Sequence, residues 1–246
     1  NDGAHVVPAW TGFNQLLHQD ESEICTVGHL PVINAPAHDK DTMWTVISKC
    51  LKISSILNPG QTTVLTLDEQ LYCKAKELQW AYPDRCRDLF IRLGGFHILM
   101  NFMQIIGKHF SHSGLLEVWT ESTAFGENTA LNNLSAKCYN RAVRAHKLTY
   151  EALLQIIWPQ FMQWSKDKGM AGVDLADAVE QVHSSMKQLQ DVNIPVKNLE
   201  RAIQNENVIP LLQEYAESLS PTSRYWWQYI VMVSLMLQFI RAERTG

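Results

Sequence analysis

The sequence predicts an α/β N-terminal part built on a small, mainly parallel sheet, followed by an all-α half, with the change near residue 110. Three observations lead there. Two short apolar runs, Thr62-Thr63-Val64-Leu65-Thr66-Leu67 and Leu89-Phe90-Ile91-Arg92-Leu93, flank a helical segment with Leu71, Ala75 and Leu78 on one face. Strand, helix and strand of these lengths make a βαβ unit with parallel strands. Beyond residue 110 the segments read as helices and no convincing strand occurs. The expected division is therefore 1–110 for the α/β core and 111–246 for the helical part.

Each element follows in order. Val27 to Ile33 is a weak apolar run broken by Gly28 and Pro31, and reads as an edge strand. Asp39 or Asp41 caps a helix whose apolar positions are Met43, Val46, Ile47, Cys50, Ile53 and Leu57, and Asn58-Pro59-Gly60 ends it. The first strong strand runs into Asp68. After the helix, a turn at Pro83-Asp84 leads to the second strand, which closes in Gly94-Gly95-Phe96-His97 and opens the apolar helix Phe96 to Ile106.

Ser135 to Trp164 then reads as one long helix or a kinked pair interrupted at Pro159. Val173 to Leu189 carries a narrow stripe of Leu175, Val179, Val182, Met186 and Leu189. Shorter helices are expected at Val196 to Gln204 and Ile209 to Ser218. Thr222 or Ser223 starts the last helix, Tyr225 to Glu243. Its stretch Trp226 to Ile240 is uncharged over fifteen residues, short of the roughly 20 that a membrane span needs. A central helix covered on most faces is expected instead, with no membrane association.

Composition narrows the functional classes. The chain of 246 residues is 46% hydrophobic and 19% charged with eight Trp, enough for a substantial core and unlike a disordered segment. A net charge of −4 argues against nucleic-acid binding through overall charge, while a local basic patch stays compatible. Five scattered cysteines, with no C-x-x-C pair and no secretory signal, read as reduced thiols of an intracellular protein. Cys25-x-x-x-His29 and His109-x-x-His112 each offer two metal ligands, but neither has a second pair at zinc spacing. The chain starts Asn1-Asp2-Gly3 without Met and stops at Arg244-Thr245-Gly246 directly after an apolar helix, so both ends read as those of a fragment.

Open α/β sheets place their chemistry beyond the carboxyl ends of the strands. Asp68 and His97 occupy two such ends and are the candidate catalytic residues, Asp68 also the candidate metal ligand. Asp more commonly only caps the helix that follows, as Asp68 can, and a histidine such as His97 is more often a hydrogen-bonded structural residue. Lys137, Arg141 and Arg144 fall at i, i+4 and i+7 with His146 and Lys147 nearby. Lys137, Arg141, Arg144 and Lys147 form the candidate nucleic-acid contact, or else a solvated helix face. No Gly-x-Ser-x-Gly, Walker loop or dinucleotide fingerprint occurs.

The order strand, helix, strand with Asp, helix, strand resembles the second half of a ribonuclease-H-like core. That resemblance implies strand-end carboxylates holding Mg²⁺ for phosphoryl transfer to or from DNA, with Asp68 as the second carboxylate. Pro8-Ala9-Trp10-Thr11-Gly12-Phe13-Asn14, Leu67 to Ala75, Ile91 to His97, Tyr139 to Lys147 and Phe239 to Gly246 together resemble a mobile-element-type protein group of invertebrate and fish genomes. Asp68, Tyr82-Pro83 and Phe96-His97 are similar in order and spacing to the outline of Mutator-like transposases, although Gly94-Gly95 stands where a Cys often precedes the His. The first Asp of such a set would precede residue 27, where Asp2 and Asp20 end no visible strand. Glu121, Glu214 and Glu243 are open as the third carboxylate.

Two functions are thus expected: an ancestrally Mg²⁺-dependent DNA strand-transfer or nuclease unit, or a non-catalytic helical protein-interaction domain of the same origin. DNA, a protein partner or a second copy of the chain are the implied partners, and an intracellular location, the nucleus included, is implied with them.

Overall fold

The computed structural model describes residues 27–168 and 208–245, with Asp177, Gln181, Ser184, Lys197, Asn198 and Arg201 between them. Most of these residues are helical, and the described strands are two. The chain forms two compact units, one made of Gly28–Leu148 with Val231–Gly246, the other centred on Thr149–Ile230.

The first unit holds the sheet. Helix α1, Lys40–Leu57, leads to strand β1, Thr63–Leu67. Helix α2, Glu69–Ala81, and a 3₁₀ turn, Pro83–Cys86, lead to strand β2, Leu89–Leu93. β1 and β2 pair in parallel, Thr63 opposite Leu89 and Leu67 opposite Leu93. Alternation sorts their side chains: Leu65, Leu67, Leu89 and Ile91 join Met43 and Ile47 of α1 and Ala75 and Leu78 of α2 in one apolar cluster. This is the expected βαβ unit with the preceding helix packed on it. The opposite face is open, with Val64 59% and Phe90 57% exposed.

The expected edge strand at Val27 to Ile33 does not form. Residues 27–34 are irregular, with Val27, Leu30 and Val32 exposed. Pro31 offers no N–H to a ladder, and too few of the run's side chains reach a core to fix a register.

Helix α3, Gly95–His109, buries Leu99, Met103 and Ile106. Two short helices that the periodicity did not reveal follow, α4 (Leu115–Glu121) and α5 (Glu127–Leu134). α5 meets α3 where Gly107 has no side chain: a Cβ there would overlap the Leu134 carbonyl oxygen. Helix α6, Tyr139–Asp167, begins in this unit and buries Ala142, Ala145 and His146. His146 belongs to the packed side of its helix, edge-on to Trp119 at 5.4 Å between ring centroids, not beside the exposed basic stripe. Helices after residue 110, α4 and α5 among them, belong to the same unit as the sheet.

The second unit is described through the rest of α6, helix α7 (Val208–Ser218) and the first part of helix α8 (Pro221–Thr245). α6 continues through Pro159, where an interruption was expected. Its core is aromatic: Phe161, Tyr215 and Trp227 pack with Trp158 and Trp164. Ser220 caps α8 by accepting from the Ser223 N–H at 3.2 Å, with Pro221 at the first helical position, so the helix begins four residues before the expected Tyr225. The helices expected at 173–189 and 196–204 lie largely outside the described residues.

α8 is not covered all round. Tyr229, Ile230, Val233, Met236, Leu237 and Ile240 are buried, whereas Val231 and Leu235 on the other side are 44% and 52% exposed. One wide stripe at steps of three and four suffices to hold such a helix. Trp226 and Trp227 are half-buried.

Candidate functional site

The carboxyl ends of β1 and β2 are drawn together by the Gly94 N–H, which donates to the Leu67 carbonyl at 2.7 Å. A Cβ on Gly94 would stand 3.1 Å from that oxygen, so the glycine permits the close approach. Asp68 leaves the end of β1 as the N-cap of α2 and accepts from the Leu71 N–H at 2.8 Å. His97 leaves the end of β2 two residues into α3. Both line one open crevice of about 590 Å³. Asp68 and His97 thus stand at neighbouring strand ends and line the same crevice.

The acids around Asp68 are already engaged. Glu69 accepts from the Asn101 side chain at 3.1 Å, and Glu77 pairs with Lys40 at 2.9 Å. That exposed pairing holds the Glu77 carboxyl below its ordinary range and raises the Lys40 ammonium. Lys74 and Cys73 also line the crevice.

A further carboxylate arrives from far along the chain. Glu243, near the end of α8, forms an ion pair with Arg92 of β2. It lies directly against Gly95, where a Cβ would overlap its carboxylate. The carboxylate thereby sits by the N-terminal turn of α3, whose dipole favours negative charge. The doublet Gly94-Gly95 is thus more than a turn: one glycine admits a carbonyl and the other a carboxylate. Arg92 was read only as a strand residue, and its charge in an otherwise apolar strand was the available signal.

The other third-acid candidates lie elsewhere. Glu121 is exposed at the end of α4, and Glu214 pairs with Lys168 in the second unit at 3.0 Å. Asp2, Asp20 and Cys25 lie outside the described residues.

Mg²⁺ requires several hard oxygen donors in near-octahedral geometry. Among the described residues no three His, Cys, Asp or Glu gather so as to hold a metal ion. Asp68 spends one oxygen on its cap and Glu243 is neutralised by Arg92. The described side chains therefore do not complete a Mg²⁺ centre among themselves. His109 and His112 gain no further ligand either.

The basic stripe is partly exposed. Lys137, in the turn before α6, and Arg141 and Arg144 on its first turns face solvent, while Lys147 is half-buried. A separate concavity of about 310 Å³ between residues 30–37 and α1 is lined by apolar side chains such as Ile33, Met43 and Val46, with Lys49 as its charged residue. It offers no carboxylate chemistry. Among the described residues no helix is long and apolar enough to cross a membrane.

The model of one family, Domain of unknown function (DUF8702), matches residues 9–246. Neither the curated proteins nor the solved structures give a match. The chain belongs to the DUF8702 family.

Proposed function

We propose that this chain is a mobile-element-derived unit on a ribonuclease-H-like frame, ancestrally built for Mg²⁺-dependent DNA strand transfer or nuclease chemistry. The observation that carries the reading is the parallel β1–α2–β2 unit with Asp68 and His97 beyond adjacent strand ends. The return of Glu243 to the end of β2 from the final helix supports it further, because a carboxylate supplied late in the chain after many helices is what that frame calls for. Asp68 is the candidate metal-binding carboxylate and His97 the candidate proton-handling group beside it. Lys137, Arg141, Arg144 and Lys147 supply the candidate DNA contact, each neutralised phosphate adding to the salt dependence of binding.

Calorimetry with Mn²⁺ tests the metal role. Saturable binding that Asp68→Asn abolishes supports it; no saturable binding, or binding indifferent to Asp68→Asn, overturns it.

The second reading, a non-catalytic interaction domain of the same origin, is favoured by the engagement of Asp68, Glu69, Glu77 and Glu243 in caps and pairs. Under it a protein partner or a second copy of the chain occupies exposed apolar positions such as Ile105 and Leu235. Sedimentation that shows a monomer at all concentrations would remove the homo-oligomer form of this reading.

A further inference from the structure

The amino ends of β1 and β2, opposite the Asp68 crevice, hold a second polar concavity of about 380 Å³. Three cations face it: Lys52 from α1, Arg85 from the 3₁₀ turn, and Arg87 just after it. Asp84 and Asp88 line it too, so cations outnumber carboxylates three to two in a chain whose net charge is −4. The charges are poorly satisfied by one another. Arg87 reaches Asp84 only at 3.9 Å, with both side chains largely exposed. Lys52 and Arg85 make no ion pair among the described residues. Thr63 adds a hydroxyl to the same lining, while the Ser55 hydroxyl already donates to the Lys52 carbonyl at 2.8 Å.

Aromatic rings stand next to the cations. The Arg85 guanidinium lies over the Trp44 ring at 6.0 Å, and Trp44 is tilted against Tyr82 at 5.2 Å. Tyr82 is 49% exposed. A guanidinium held on a ring keeps its planar donors oriented and weakly hydrated, ready for phosphate oxygens. Neither ring lines the concavity itself, so the ligand chemistry there is set by the cations.

We infer that this concavity binds a phosphate group, free, on a nucleotide or within a single strand. Lys52, Arg85 and Arg87 take the phosphate. The volume lies within the usual range of small-ligand pockets, roughly 300–1,000 Å³. Asp84 and Asp88 can accept from sugar hydroxyls, which gives the carboxylates a place in the same ligand. The inference is independent of the metal role of Asp68 and of the α6 stripe.

Titration of the whole chain with adenosine monophosphate, adenosine, inorganic phosphate and a single-stranded deoxyoligonucleotide, followed by Trp fluorescence and calorimetry, tests it. Saturable binding of the monophosphate, competition by inorganic phosphate and much weaker binding of adenosine are expected. Arg87→Ala and Lys52→Ala should each weaken it about tenfold, the effect of losing one charge-assisted hydrogen bond. Tighter, length-dependent oligonucleotide binding with the same variant sensitivity assigns the ligand to a strand. Binding lost instead in Arg141→Ala/Arg144→Ala, binding unchanged in Arg87→Ala and Lys52→Ala, or no binding of any probe overturns the inference. All these positions except half-buried Trp44 are exposed or at the surface, and unchanged circular dichroism of each variant excludes misfolding as the cause.

Discussion

Asp68 holds the end of a strand and the start of a helix at once, and its two roles separate by substitution. Asp68→Ala removes the oxygen that accepts from the Leu71 N–H and should cost about 1 kcal/mol in urea unfolding. Asp68→Asn keeps that acceptor, so its stability should stay within about 0.5 kcal/mol of the parent. A large loss with Asn would mean that the carboxylate charge itself is structural. His146 makes a sharper prediction. Burial pushes its pKa from the ordinary 6.5 down to about 4. Above pH 6.5 the ring is neutral in both folded and unfolded chains and costs nothing. As pH falls below 6.5 the unfolded chain takes up a proton that the folded one refuses. Stability is therefore lost progressively across the window from 6.5 to 4, by about 3 kcal/mol at its lower end. The difference in unfolding free energy between the parent and His146→Leu, followed from pH 7.5 to 4.5, should carry that slope; a flat difference would refute it.

Helix contacts are where local pattern stops being informative. α1, β1, α2 and β2 were legible because their apolar spacing and their Asp, Pro and Gly punctuation agree. The apolar core of α3 was legible for the same reason. α4 and α5 were not: at seven and eight residues each is too short to display a period, and α4 begins after Gly114 in a left-handed conformation, φ 86°. The weak run at Val27 to Ile33 misled because periodicity cannot tell a strand from a loop whose side chains have no neighbour to pair with. Gly107 shows a contact with no local signature at all. In sequence it is a glycine in an apolar helix, normally a cost of about 1 kcal/mol against Ala. In the fold it is the only residue type that lets the Leu134 carbonyl approach α3, because an added Cβ meets backbone and not a movable side chain. Gly107→Ala should therefore destabilise by roughly 3 kcal/mol despite its better helix propensity, measured as a lowered denaturant midpoint at unchanged slope. A stabilised variant would show that α3 and α5 are not held this closely.

At the scale of the whole molecule, the candidate site is assembled from parts of the chain far apart in sequence. Arg92 and Glu243 are 151 positions apart, yet they form one ion pair beside the strand ends. Asp68 and His97 were legible as a pair because a parallel βαβ unit dictates that its strand ends adjoin. Glu243 was legible only as one of three acids, since the return of α8 depends on packing that no local pattern encodes. The same return gives the last helix its place in the unit that contains the sheet, where Met236, Leu237 and Ile240 are buried and Leu235 is exposed. Truncation of a large buried side chain costs about 2–5 kcal/mol, and whole domains are stable by only about 5–15 kcal/mol. Deleting residues 236–246 removes three such side chains together with the partner of Arg92. The shortened chain should consequently lose the cooperative thermal transition of the sheet-containing unit, followed by Trp fluorescence and far-ultraviolet circular dichroism. Leu235→Ala, one residue before the cut, should shift stability by no more than about 0.5 kcal/mol. A shortened chain that melts at the parent temperature would mean that the end of α8 is a passenger, and with it the late carboxylate at the strand ends would lose its structural footing.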